Sequence, residues 1–345
     1  MKNRLLMVML SALLFSGTAN AKLNGKNVVL VHGFQPTDLR DRPDTNAQQA
    51  NANAYWSAYW GSRAERTLYW PSYERVTGKI KDTIKTQFKS LEADRTCANG
   101  CVFVTHSTGD LVLRDALTRL GQWGISSSNF KVIAVLDFAG AGGGTELADI
   151  AVNVANGSGV INSIQKAAVR TFLGFDPTPT TVGVLNDLRP GNARNISRNN
   201  NPVPRLRFVG EGTEFLGATK VFIKGSDDSV VPMHSACGAS SNSSYDSCSR
   251  SVRVNGQVRS SNGPSSLFFN HYAVLMGEST AHSEAISNAR SGDFTTVTNN
   301  TTKGVTLDFR TKTERKWWSW FYKVRLVRNG SSKSMSANVY DTLNQ

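Results

Sequence analysis

Cysteine and proline are scarce in this chain, four and ten among 345 residues, which excludes a fold built from disulfides or from polyproline repeats. The 29 glycines follow no period, so the chain is not collagen-like. Acids are outnumbered, 26 Asp+Glu against 39 Lys+Arg, for a formal net charge of +13. Histidines number five, and of these only His234 lies near a cysteine pair, so no ligand set for zinc or another metal can be read. What is abundant is ordinary core material: 39% hydrophobic and 19% charged residues suit two domains or one large α/β domain.

No apolar run reaches the roughly twenty residues of a membrane-spanning helix. The longest opens the chain, where Lys2 and Arg4 precede residues 5–15 and the small residues Ala19, Asn20 and Ala21 follow. This pattern predicts a secretory signal peptide over residues 1–21, cut after Ala21, and hence a secreted or periplasmic protein. Its removal takes two cations and no acid, so the exported chain stays basic. An oxidising compartment makes the cysteines candidates for disulfides. Four allow three pairings, and proximity favours Cys97 with Cys101 and Cys237 with Cys248.

Strand and helix signals alternate. Residues 27–31 form a β-branched run that stops at His32-Gly33-Phe34, as a buried parallel strand does. Residues 74–91 place Ile80, Ile84, Phe88 and Leu91 at helical spacing. A second apolar strand over 101–104 leads through Thr105-His106-Ser107-Thr108-Gly109 into an amphipathic helix bearing Leu111, Val112, Ala116, Leu117 and Leu120. A third strand, 131–136, runs into glycines at 140 and 142–144. This alternation implies a mostly parallel sheet with helices on both faces.

Exposing a serine at the carboxyl edge of such a sheet requires the chain to reverse within a few residues, with small neighbours where strand and helix nearly touch. Gly109 supplies one; Thr105 stands where a Gly-x-Ser-x-Gly elbow has its first glycine. In this context the chain resembles the α/β-hydrolases, and within them the secreted bacterial-type lipases and esterases. "VVLVHGF" is similar to their oxyanion-hole strand, "VFVTHSTGDLVLRDAL" to their nucleophile elbow, and "VIAVLDFAGAGGGTELADIA" to their next strand and turn. "KGSDDSVVP" and "FFNHYAVLMG" resemble the acid and histidine loops, all in family order between residues 27 and about 290.

The resemblance implies an α/β-hydrolase domain over 22–290, with a possible cap or lid insertion near 146–205, and a β-rich extension over 291–345. It implies Ser107 as nucleophile and, from the Asp-x-Val-Val-Pro pattern after an expected strand at 220–224, Asp228 as acid, with Asp227 and Asp137 as alternatives. A serine hydroxyl needs a base that the acid orients. His271 is the first candidate, because it follows the apolar run Leu267-Phe268-Phe269 and would leave a strand at the sheet's carboxyl edge. His282, in "TAHSEA" on an expected helix, is the alternative. His32 and His106 fall at loop positions of the family motifs, and His234 is six residues beyond Asp228. By resemblance the amides of Phe34 and Thr108 form the oxyanion hole. No cofactor is required.

The implied reaction is cleavage of a carboxylic ester, most simply of a lipid, through an acyl-enzyme. A phospholipase, an esterase, a polyester depolymerase or an acyltransferase would use the same residues. An inactive hydrolase fold serving as a lipid-binding module is the alternative of another class. Aromatic clusters at 54–60 and 68–73 read as packing or as the lining of a cleft. Between Arg310 and Arg328 basic residues are interleaved with Trp317, Trp318 and Trp320, and alternation puts Trp318, Trp320, Tyr322, Val324 and Leu326 on one face of an expected strand, with Lys323 and Arg325 on the other. This segment suits edge protection or contact with an anionic membrane or lipid-droplet surface. No nucleic-acid module accompanies it, so nucleic acid is not an expected partner, and the protein is expected to be a monomer.

Overall fold

The computed structural model describes residues 23–196, 201–245, 267–296, 308–315 and 324–345. The signal segment 1–21, Cys248, Trp317, Trp318, Trp320 and Lys323 lie outside the described residues. In chain order the elements are β1 (Asn27–Val31), α1 (Pro36–Asp41), α2 (Thr45–Tyr55), β2 (Arg66–Leu68), α3 (Lys81–Ala93), β3 (Cys101–His106) and α4 (Gly109–Thr118). Next come β4 (Val132–Phe138), α5 (Glu146–Asn156), α6 (Ser163–Leu173), α7 (Pro190–Asn195), β5 (Arg205–Gly210) and α8 (Met233–Ala236). The last are β6 (His271–Gly277), β7 (Phe294–Thr296), β8 (Thr311–Glu314), β9 (Val324–Val327) and α9 (Met335–Leu343).

Among the described residues the strands form one nine-stranded sheet in the order β2-β1-β3-β4-β5-β6-β7-β9-β8. Pairing is parallel from β2 across to β6 and antiparallel beyond it. Central strands are continuous apolar or β-branched runs because both faces are covered. Alternate residues supply opposite faces. Val29, Val31, Phe103 and Val135 join a core with Ile84 and Phe88 of α3 and Leu111 of α4. Val28, Leu30, Val104 and Leu136 join a second core with Trp56, Trp60 and, from α9, Met335 and Val339.

Local signals set the helix ends. Asp44 accepts from the Ala47 amide at the start of α2, Asn162 and Gln165 make a reciprocal capping box on α6, and Ser334 caps α9. A Cys97–Cys101 disulfide joins the turn after α3 to the first residue of β3. The expected strand at 220–224 does not form: residues 220–222 make a 3-10 turn. The strand that leads toward the acid loop is instead β5. No helix among the described residues is long and apolar enough to cross a membrane.

Candidate active site

Ser107 follows the last residue of β3 and immediately precedes α4 by one residue, Thr108. Its φ of 54° lies in the left-handed region, unusual for a residue with a Cβ, and is the strained reversal that lifts a side chain off the end of a strand. The reversal holds because its surroundings overdetermine it. The Ser107 amide donates to Phe138 O at 3.1 Å, and its carbonyl accepts from Ala141 at 2.8 Å and Asp110 at 3.2 Å. Helix α4 then passes so close to β1 that a Cβ at Gly109 would overlap Val31 O and lie 2.6 Å from His32 O.

Thr105 takes the other tight position with a β-branched side chain, and the structure accommodates it through its hydroxyl, which donates to Asp137 on the neighbouring strand. Asp137 belongs to a buried charge cluster. Arg205 Nη1 lies 2.6 Å from Asp110 and 3.1 Å from Asp137, and Arg207 Nη1 lies 2.6 Å from Asp110. Burial would raise the Asp110 carboxyl, but Arg207, Arg205 and Arg114 outweigh it and hold it below its ordinary value. Burial and the charge of Asp110 push Asp137 up. The cluster clamps the first turn of α4 to β4 and β5, directly behind the serine. Asp137 therefore serves this clamp, and the structure does not place it with an imidazole in the serine's reach.

The acid loop brings Asp228 to His282. Asp228 Oδ1 accepts from the amides of Val230 at 3.0 Å and Val231 at 2.7 Å, leaving Oδ2 to bond His282 Nδ1 at 2.8 Å. The His282 amide also donates to Asp228 O at 3.1 Å. Asp227 points elsewhere: its carboxylate accepts from the Ser229 amide at 2.8 Å and faces Lys220 at 3.3 Å. Burial disfavours a charged His282, yet the charge of Asp228 and its hydrogen bond, with a contribution from Glu214, raise its pKa above the ordinary value.

His271 does not reach the site. It begins β6 rather than ending a strand, and its register partner Arg205 pairs with Val135, which pairs with Phe103. That level is four residues short of Ser107, about 13 Å at the rise of a strand and three strands away. Its Nδ1 accepts from Arg207 Nη2 at 2.7 Å, and burial plus the nearby arginines hold it neutral, well below its ordinary pKa. The expected partner of Asp228 is therefore corrected from His271 to His282, which sits on the connection leaving the carboxyl end of β6, before the 3-10 turn Ser283–Ile286. The missed signal was the run Ala273-Val274-Leu275-Met276 ending at Gly277, a better strand than Leu267-Phe268-Phe269.

At the end of β1, His32 stacks on Trp70 with centroids 4.7 Å apart and accepts from the Trp70 amide at 3.2 Å, while Nδ1 donates to Gly33 O at 2.7 Å. Burial takes its pKa down to about 4. It is a neutral brace for the loop carrying Phe34, whose ring meets Phe172 of α6. Among the described residues, neither the Phe34 nor the Thr108 amide donates to a backbone acceptor. The aromatic clusters mostly pack: Trp56, Trp60 and Trp70 are fully buried. Arg325 lies in β9 opposite Thr313. His/Cys/Asp/Glu groups suited to a metal ion are absent among the described residues.

A parallel sheet in this order, with a positive-φ serine after β3 and an Asp–His pair on later connections at the same edge, decides the architecture. The fold is that of the α/β-hydrolases. The chain is similar to the lipase BlEst2 of Bacillus licheniformis in its mature form, with 16% identity and a TM-score of 0.40 over 61% of this chain and 78% of that one. A metagenomic carboxyl esterase is similar at 17% identity and a TM-score of 0.39, over 62% of this chain and 60% of that one. Phospholipase PlaB from Legionella pneumophila is similar at 14% identity and 0.38, over 61% of this chain and 45% of that one. No protein-family model matches the sequence, and no curated protein matches it.

Proposed function

We propose that this α/β-hydrolase-fold chain is an exported serine hydrolase that cleaves carboxylic esters of lipids through an acyl-enzyme. The observation that carries the reading is the Asp228–His282 pair, closed at 2.8 Å on the sheet edge where Ser107 occupies its positive-φ turn. Ser107 Oγ attacks the ester carbonyl as His282 Nε2 takes its proton. The tetrahedral intermediate collapses as the alkoxide leaves with that proton. Water then attacks the acyl carbonyl as His282 takes its proton, and the second tetrahedral intermediate collapses by breaking the bond to Ser107 Oγ, which receives the proton back from His282 as the acid is released. Asp228 orients His282 and stabilises the imidazolium, and the Phe34 and Thr108 amides stabilise the oxyanion.

The lipid assignment draws on apolar side chains left exposed on connections that leave the same sheet edge. Val160 and Ile164 lie after β4, and Leu216 and Val221 after β5, all at least 65% exposed. The leader-like residues 2–21 and the Cys97–Cys101 bridge support export to an oxidising compartment.

A fluorophosphonate probe and a series of p-nitrophenyl esters test the reading. The wild type should be labelled and should turn over medium or long acyl chains faster than acetate. S107A should take no label, and H282Q should lose turnover by about 10⁶-fold, whereas H271Q should keep it within a few-fold. Label absent from the wild type, or a large loss confined to H271Q, would falsify the assignment.

A further inference from the structure

His282 is held at three of its four polar atoms. Its amide N–H and Nδ1 bond Asp228, and its carbonyl oxygen lies 3.0 Å from His106 Nε2. Only Nε2 remains to face a reacting oxygen. A carbonyl oxygen can only accept, so His106 must carry its proton on Nε2, which makes Nδ1 of the neutral ring an acceptor. Tyr55 Oη stands 2.5 Å from that Nδ1, so the phenol must be the donor. The two imidazoles also lie against each other, with centroids 4.5 Å apart.

The hydroxyl of Tyr55 reaches the opposite wall of the site as well. A Cβ at Gly33 would overlap Tyr55 Oη and lie 2.8 Å from Ser107 Cβ, so the phenol fills the space beneath the loop that carries Phe34. Tyr55 ends α2. A helix from the first crossover thus makes contact at once with the oxyanion loop, the nucleophile turn and, through His106, the base. The electrostatics agree with this arrangement. Burial and the neighbouring His282 keep His106 uncharged, and burial raises Tyr55, so the phenol keeps the proton it donates.

We propose that Tyr55 is a positioning residue for the base: its hydroxyl fixes the tautomer of His106, whose Nε2–H in turn holds the backbone of His282. Without the phenol, His106 can shift its proton to Nδ1 and present a lone pair to the His282 carbonyl, and the base loses its third anchor. The inference rests on the assignment of Ser107 and His282 above. It predicts a specific pattern of coupling, because Tyr55 reaches the base through His106.

The test is a double-mutant cycle read by the rate of fluorophosphonate labelling and by ester hydrolysis. Y55F keeps the ring and should retain the wild-type circular dichroism, slow labelling about tenfold, and lower kcat with KM within twofold. H106Q presents a donor and an acceptor that cannot change tautomer, so adding Y55F to H106Q should slow labelling much less than Y55F slows the wild type. Wild-type rates in Y55F, or losses that multiply in the double variant, would overturn the proposal. A wild type that takes no label would instead remove the serine-hydrolase reading itself, a separate and visible failure.

Discussion

A protonated imidazole cannot accept a proton from serine, so the proposed mechanism makes the acid limb of the reaction report the titration of His282. Burial alone would have lowered that pKa, but the interaction with Asp228 wins and raises it above 6.5. The sign follows directly. Activity is present above the raised value and falls as pH drops through it, so the acid limb of kcat/KM should have its midpoint above 6.5. D228N removes both the charge and the correct hydrogen-bond partner, so the limb should move to lower pH while turnover falls about 10⁴-fold. Profiles of kcat/KM against pH for wild type and D228N decide it, and a midpoint below the ordinary imidazole value in the wild type would contradict the ion pair as its cause.

The turn between β3 and α4 was legible in the sequence because its determinants are local: an apolar strand, five turn residues and an amphipathic helix lie within eighteen positions. Its two tight positions are solved differently, and each solution can be tested. G109A drives a methyl into the carbonyls of Val31 and His32, which are backbone and cannot swing aside. The overpacking should cost about 1–3 kcal/mol, despite the better helix propensity of alanine, and should depress labelling of Ser107. T105V keeps the shape but removes the donor to Asp137, so a fully buried carboxyl loses a partner, at a cost of about 1–3 kcal/mol. Denaturant melts measure both; a T105V protein as stable as wild type would show that the hydroxyl is incidental. Strand β5 was not legible for a related reason. Arg205 and Arg207 interrupt the apolar run that marks a buried strand, yet both are buried, because Asp110 and Asp137 from distant segments neutralise them. The partner of Asp228 is hard to read for the same reason. Local apolarity before His271 suggests a strand end, and only the partner Asp228, 54 residues before His282, singles out the imidazole that a carboxylate holds.

At the scale of the whole molecule, the end of the chain supports the site from the far side of the sheet. Helix α9 places Met335 and Val339 against Trp60, and Ser336 Oγ accepts from Trp60 Nε1 at 2.9 Å while donating to Ala285 O at 2.9 Å. Ala285 is in the 3-10 turn that begins one residue after His282. The loop carrying His282 is thus anchored at one end by His106 and a few residues further on by the C-terminal helix. S336A leaves the Trp60 N–H and the Ala285 carbonyl each without this partner, for a cost of about 1–3 kcal/mol, or several degrees of Tm in a chain of this size. Truncation after Asn329 goes further. It uncovers Trp60 and removes two fully buried apolar side chains, Met335 and Val339, each contributing about 1.5–3 kcal/mol, so Tm should fall by roughly ten degrees or more. At temperatures where the truncated protein still melts cooperatively, ester turnover should already be reduced, because the His282 loop has lost one of its anchors. Calorimetry and turnover measured on the same samples separate the two effects. Full activity in the truncated chain below its own Tm would show that α9 stabilises the sheet without reaching the base.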